Sequence, residues 1–232
     1  MEYKSIRRIN IIIAVIQALM FILCMSWLVS KKDLDGPWDV NLDSIILSLA
    51  AFSIVTCAFH SGYAADKPQY RKIVDGGRNV WRWVEYCITA TTMIWTISVS
   101  CGVRTRGRRI LVSILGFVCM CCGLMSDTNE SRSKIWTTLG WIMLCIAFVI
   151  IFMDFPREVP GFVWAILICM TLLFCSFGMI HLVHMHHGKE NEQFNRKMEV
   201  VYSIDSLVSK TLLVLLLFFG LVTRSNQKNI TN

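Results

Sequence analysis

A lysine in the middle of the last long apolar segment has the clearest chemical potential in this sequence. Lys210 lies between Val200 and Val222 and directly follows the string Ser-Leu-Val-Ser. If this segment crosses a membrane, the ammonium group of Lys210 is too deep to reach an aqueous interface easily. Such an amine either forms a buried structural ion pair or stays available for Schiff-base chemistry with an aldehyde. The residues alone leave both possibilities open.

A glutamate in an earlier segment is the candidate partner of this amine. It belongs to a polar series whose spacings of three and four residues follow the helical period. The series is Arg82, Glu85, Thr89, Thr92 and Thr96. We expect this stripe to face the interior of a helix bundle, where the Glu85 carboxylate would neutralise a buried cation. The alternative is a structural pair between Arg82 and Glu85 at the membrane interface.

The helical period also predicts the surroundings of Lys210. Ser203, Ser206 and Lys210 share one helical face. Asp205 lies five residues before the lysine, about 140° away around the helix. We therefore expect Asp205 to face a neighbouring helix or a polar pocket rather than the amine. His60 is a further ionisable residue within an apolar segment.

Long apolar segments must hold these residues in place. Of the 232 residues, 55% are apolar and 17% are charged, against about 25% charged residues in a typical soluble domain. The mean hydropathy is +0.55. Segments of the length that crosses a bilayer, about 20 residues, lie near 9–29, 44–64, 80–102, 110–126, 135–153, 160–183 and 200–222. Because backbone groups in lipid must pair within a segment, each is predicted to be helical.

The sequence thus predicts an all-α fold, a bundle of seven transmembrane helices forming a single domain over residues 1–232. The net charge of +7 suits anionic lipid headgroups, and no motif with interleaved basic and aromatic residues indicates nucleic-acid binding. Lys and Arg are slightly more frequent in the loops and ends that lie on the same side of the membrane as the N-terminus. The positive-inside rule then places the N-terminus in the cytoplasm and the C-terminus outside. The first apolar segment is too long for a signal peptide, which indicates a retained helix.

Two strings carry a resemblance to a known family. RWVEY at Arg82–Tyr86 and SLVSKTLL at Ser206–Leu213 resemble the heliorhodopsins, and FVWAI at Phe162–Ile166 supports the likeness. The resemblance implies a rhodopsin-like membrane protein of inverted topology, with the N-terminus inside and the C-terminus outside. It further implies a covalently bound all-trans retinal and a homodimer.

The resemblance also implies roles for individual residues. Lys210 corresponds to the Schiff-base lysine and Glu85 to its counterion. Ser206 occupies the position at which light-driven pumps carry a second carboxylate. His60 is similar to the family's histidine of the second span, part of a polar site that accepts the Schiff-base proton. Positions similar to those lining the retinal pocket are Thr56, Met120, Trp141 and Phe174. Supporting polar residues are Arg82, Thr89 and Asp205.

This sequence departs from the family pattern in two places. The first outside loop, Ser30–Leu42, is short, whereas the family usually has a longer strand-forming loop that contributes to the dimer. Gln17 or its neighbours replace a histidine that many members carry in the first span. We therefore expect an altered proton-accepting site.

The sequence predicts a light-sensing photoreceptor that is not an enzyme and that signals through a conformational change to an unknown partner. Thr92, Thr96 and Ser206 offer no ionisable donor or second acceptor, which argues against efficient pumping. One alternative is a light-gated proton channel, and another is a multi-span membrane protein without a chromophore.

Two other groups of residues have simpler interpretations. The ten cysteines lie in the apolar segments, where cysteine behaves as a small hydrophobic residue, and no metal site is expected. The histidines at 181, 184, 186 and 187 cluster at the inner end of the sixth segment. They are interpreted as part of an interfacial loop, and the less favoured alternatives are a metal site and a titrating loop that tunes proton exchange.

Overall fold

The computed structural model describes residues 2–30, 42–156, 158–187 and 191–231. Within these ranges the chain forms eight α-helices and one 3₁₀ turn, at Glu130–Arg132, and no strand. The helices are α1 (Tyr3–Ser30), α2 (Leu42–Ala64), α3 (Pro68–Asp75), α4 (Val80–Ser100), α5 (Arg106–Thr128), α6 (Ser133–Asp154), α7 (Gly161–His186) and α8 (Glu192–Thr231). The predicted all-α class is confirmed.

The seven long helices form a closed ring. Each packs on the next in the order α1, α2, α4, α5, α6, α7 and α8, and α8 packs back on α1. The interior between them holds a continuous apolar core that includes Leu49, Ile94, Ile166 and Leu217. In a closed ring, α4 and α8 border the same interior. Glu85 and Lys210 can therefore come into contact only there.

Local signals fix both ends of α4, the helix that carries Glu85. The Asn79 side chain caps the start, because its Oδ1 accepts a hydrogen bond from the Arg82 amide at 3.2 Å. At the other end Gly102 adopts a φ of 79°. The Val103 amide then donates to the Ser98 carbonyl at 3.0 Å, which closes a Schellman turn.

The short helix α3 lies between two of the apolar segments, where the sequence predicts no membrane span. Pro68 occupies its first turn, and Tyr70 and Val74, one turn apart, are buried. Arg71 donates two hydrogen bonds to the Asp66 carboxylate, at 2.9 and 2.5 Å, which ties the helix to the preceding turn. These hydrogen bonds hold the pKa of Asp66 below its usual value.

The outer surface of the bundle is apolar and its interior contains charged groups. Ile12, Leu19, Val149 and Leu172 are more than half exposed. Six of the described helices, α1, α2, α5, α6, α7 and α8, are long and apolar enough to cross a membrane. Helix α4 is not among these six, since Arg82, Glu85 and several threonines interrupt its apolar sequence. Six of the seven predicted spans are therefore matched, and α4 stays a prediction as the seventh.

Six of the seven long helices are longer than the predicted spans, since hydropathy marks only the apolar part of a helix, whereas α4 ends at Ser100, two residues before its predicted end. Helix α1 begins at Tyr3 instead of residue 9, and α8 runs from Glu192 to Thr231 instead of 200–222. The predicted short loop Ser30–Leu42 is almost entirely outside the described residues.

Candidate functional site

The site centres on a buried ion pair between α8 and α4. Lys210 Nζ donates to Glu85 Oε1 at 2.7 Å, and the two side chains are only 2% and 1% exposed. The amine also lies 5.3 Å from the centroid of the Tyr86 ring. Two opposite charges this deep in a protein must neutralise each other, since each is costly to remove from water.

An apolar cavity begins at the amine. Four helices form its walls: α4 contributes Tyr86, Thr89, Ala90 and Met93, α5 contributes Met120, α7 contributes Leu173, Phe174 and Phe177, and α8 contributes Asp205, Ser206, Ser209 and Lys210. A second apolar cavity extends towards α6 and Trp141. It shares Met120, Phe174 and Phe177 with the first. These two adjoining cavities make up an apolar space that ends at a primary amine.

Most of the residues expected at the site lie around this space. Met120, Phe174, Thr89, Ser206 and Asp205 line the first cavity, and Trp141 lines the second. Asp205 accepts a hydrogen bond from Ser176 of α7 at 2.6 Å, so it faces a neighbouring helix rather than the amine. Thr56 is fully buried on α2 but lines neither cavity.

His60 lies on the far side of Glu85. Its Nε2 is 3.9 Å from Glu85 Oε2, and its Nδ1 is 2.6 Å from Asn10 Oδ1 on α1. Asn10 was missed by the sequence analysis, although a lone amide within an isoleucine-rich stretch was a usable signal. Gln17, the expected replacement for the family histidine, is hydrogen-bonded to α8 rather than to His60: its Nε2 donates a hydrogen bond to Thr211 Oγ1 at 3.4 Å.

A second buried charged cluster lies one turn from Glu85. Arg82 Nη1 pairs with Glu199 Oε2 at 2.7 Å, and Arg82 Nη2 with Asp127 Oδ2 at 3.4 Å. Its guanidinium also stacks over the Tyr202 ring at 3.9 Å. The alternative of an Arg82–Glu85 pair is therefore wrong, because α5 and α8 bring closer carboxylates to the arginine. The spacing of residues along α4 contains no information about which carboxylates α5 and α8 bring to Arg82.

Two of the four histidines assigned to an interfacial loop are buried instead, and that interpretation is wrong for them. Helix α7 continues to His186, which carries His181 and His184 into the bundle. His181 Nε2 lies 3.1 Å from Ser126 Oγ, and His184 Nε2 lies 3.1 Å from Asn195 Oδ1. Polar partners on α5 and α8 make their burial possible.

The residues present fit a long apolar aldehyde attached to the amine. The walls are mainly aliphatic and aromatic, as in most ligand pockets. A reactive amine and a carboxylate stand at one end, and Thr89 Oγ1, on the wall, is a buried hydroxyl without a hydrogen-bond partner in the described part of the chain. Gly178 makes room beside the Trp141 indole, since a Cβ there would collide with the ring.

The helix bundle has a rhodopsin-type fold. Exiguobacterium sibiricum rhodopsin is similar in structure, with a TM-score of 0.77 at 13% identity over 97% of this chain and 100% of that one. Viral rhodopsin OLPVRII gives 0.73 at 13% identity over 94% and 99%. Xanthorhodopsin, a light-driven ion pump with dual chromophore, gives 0.76 at 12% identity over 98% and 96%. At these identities the likeness shows the fold alone.

The family follows from the sequence itself. The heliorhodopsin family model matches residues 11–222, so this chain belongs to the heliorhodopsin family. Comparison with curated protein sequences gives no match. The chain is therefore a retinal-binding, light-responsive rhodopsin and a multi-pass integral membrane protein. The predicted resemblance is confirmed.

Proposed function

We propose that Lys210 holds all-trans retinal as a protonated Schiff base and that Glu85 is its counterion. The observation that carries this proposal is the 2.7 Å contact between the two buried groups at the end of the apolar space. Retinal supplies an aldehyde that condenses with the amine, with loss of one water, and a polyene that isomerises on absorbing light. The Glu85 carboxylate stabilises a positive charge on the Lys210 nitrogen.

The cavity walls orient the chromophore and exclude water from it. Phe174 and Phe177 lie along both cavities, and the Tyr86 ring stacks edge-on against Phe177 at 5.0 Å. Ring walls of this kind favour one arrangement of a flat polyene. We propose that Trp141 bounds the far end of the binding space.

We propose sensing rather than pumping as the main activity. A pump needs proton-carrying groups on both sides of the nitrogen that releases the proton. Thr92 Oγ1 donates to the Ile88 carbonyl and Thr96 Oγ1 to the Thr92 carbonyl, so both hydroxyls are used within α4. Ser206 provides no second carboxylate. The proton released near Lys210 would pass to the polar site at His60, and the helices would then shift towards a signalling partner.

A light-gated proton conductance is the second candidate. The observation that favours it is a chain of polar contacts that runs from Glu85 past His60, Asn10 and Tyr70 to Glu199. Photocurrents in voltage-clamped cells separate the two activities. A current that reverses with the proton gradient supports conduction, whereas a visible photocycle without current supports sensing.

We further propose seven membrane spans, with α4 as the third, in a single domain. The N-terminus would be cytoplasmic and the C-terminus extracellular, and two copies would form a homodimer. Labelling of a single introduced cysteine at either terminus by a membrane-impermeant reagent, in a variant whose native cysteines are replaced, tests the orientation.

Reconstitution tests the chromophore proposal directly. All-trans-retinal is added to the purified chain, and borohydride reduction followed by peptide mass analysis locates the attached group. We expect a visible band and a retinyl group on the peptide that contains Lys210. Lys210→Ala should remain colourless, while Lys67→Ala, which changes an exposed lysine, should keep the band. A colourless wild type, or attachment at another lysine, would contradict the proposal.

A further inference from the structure

The protonation of His60 follows from the second buried charged cluster, in which Arg82 pairs with Glu199 and Asp127. The Glu199 carboxylate is the partner of the Arg82 guanidinium at 2.7 Å. A carboxylate in such a pair only accepts hydrogen bonds. Its Oε1 lies 3.2 Å from the Tyr70 hydroxyl and 2.7 Å from Asn79 Nδ2. The Tyr70 hydroxyl must therefore direct its one proton at Glu199.

The orientation of Tyr70 then orients Asn10. Because the Tyr70 hydroxyl donates to Glu199, its oxygen can only accept from Asn10, which lies 3.5 Å away. The amide nitrogen Nδ2 of Asn10 must face Tyr70, and the carbonyl oxygen Oδ1 must face the other way. The direction of this amide thus follows from the hydrogen-bond network.

The orientation of Asn10 in turn decides which nitrogen of His60 carries a proton. Asn10 Oδ1 lies 2.6 Å from His60 Nδ1 and can only accept, so Nδ1 must donate. In the neutral ring Nε2 then carries no proton. Nε2 makes no hydrogen bond within the described residues and lies 3.9 Å from Glu85 Oε2.

We propose that Asn10 is a positioning residue: held by Tyr70 and Glu199, it keeps one proton on His60 Nδ1 and leaves Nε2, which faces Glu85, to exchange the other. On accepting a proton at Nε2 the imidazole becomes a cation, and it returns to the same neutral tautomer when that proton leaves. The consequence for the light reaction rests on the proposed function, whereas the tautomer does not.

Nitrogen NMR of ¹⁵N-histidine-labelled protein tests the tautomer without retinal. The chain has five histidines, and the spectrum of His60→Gln assigns the signals of His60. At a pH where the ring is neutral, the wild type should show a protonated Nδ1 and a bare Nε2. Asn10→Leu removes the acceptor, and Tyr70→Phe removes the hydroxyl that orients it. In each variant we expect the tautomer ratio to change by about tenfold, the effect of one hydrogen bond of about 1.4 kcal/mol.

Tyr63→Phe is the matched control for Tyr70→Phe. The Tyr63 ring packs edge-on against His60 at 5.4 Å and stacks on Tyr70 at 5.0 Å, but its hydroxyl has no partner in the described part of the chain. This variant should leave the tautomer unchanged. If Asn10→Leu does not fold, the wild-type spectrum and the tyrosine pair still decide the question.

Three results would overturn the inference: a proton on Nε2 in the neutral wild-type ring, an unchanged tautomer in folded Asn10→Leu or Tyr70→Phe, or an equal change in Tyr63→Phe. A chain that binds no retinal yet shows the expected tautomer would contradict only the proposed function.

Discussion

Removal of one partner from the buried pair should destabilise the retinal-free protein strongly, and removal of both should not. At the observed 2.7 Å between Lys210 Nζ and Glu85 Oε1, the Coulomb attraction is about 6 kcal/mol with an effective dielectric constant of about 20. Desolvation offsets much of this attraction in the intact pair. In Glu85→Gln or Lys210→Met, the remaining charge keeps its desolvation cost and loses its partner. We therefore expect each single variant to lose about 3–5 kcal/mol of unfolding free energy.

The double variant Glu85→Gln/Lys210→Met leaves no unpaired charge in the interior. It should be more stable than either single variant, because replacement of both members of a buried pair is often close to neutral. Reversible denaturant unfolding of the retinal-free chain in detergent measures all four members of this double-mutant cycle. A coupling energy of at least about 3 kcal/mol follows if the double variant loses no more than either single one.

A surface pair provides the matched control. Arg78 and Glu130 also form an ion pair, but their side chains are 47% and 65% exposed. The same cycle at this pair should give a coupling energy below about 1 kcal/mol. Single variants at Glu85 and Lys210 that each lose under about 1 kcal/mol, or that add without coupling, would refute the buried ion pair.

Three further outcomes are expected. Arg82→Gln should cost about 3–5 kcal/mol, because two buried carboxylates lose their shared cation, whereas Arg78→Gln should cost under about 1 kcal/mol; denaturant unfolding of both variants checks this. Gly178→Ala should cost about 1–3 kcal/mol by crowding an indole of α6 and should weaken the retinal band. Thermal melts and reconstitution measure both effects, with Gly62→Ala, which meets no atom within 4 Å, as the neutral comparison. Asp205→Asn should shift the visible band less than Glu85→Gln does, since Asp205 contacts a serine rather than the amine, and absorption spectra of the two reconstituted variants decide this.

The sequence correctly predicted the features that depend only on residues close together in the chain. Apolar segments of the right length predicted the long helices, because lipid leaves the backbone no other way to satisfy its hydrogen bonds. The helical period placed Glu85 on an inward face and turned Asp205 away from Lys210. Both statements need only positions along a single helix.

The sequence was a poor guide where a contact joins helices far apart in the chain. Arg82 was expected to have Glu85 as its alternative partner, three residues away, but it pairs with Glu199 and Asp127 on α8 and α5. The burial of His181 depends in the same way on polar groups of α5 and α8. No periodicity within one helix encodes which polar groups a neighbouring helix supplies.

By itself, the sequence determined the helical class, the family and the two residues most suited to hold a chromophore, since these depend on composition, period and short strings. Only the tertiary structure decided that Lys210 and Glu85 lie within hydrogen-bond distance and that Asn10 contacts His60. The physical reason is that helix packing sets these distances, because it closes the ring of helices and brings α1, α2, α4 and α8 around one interior.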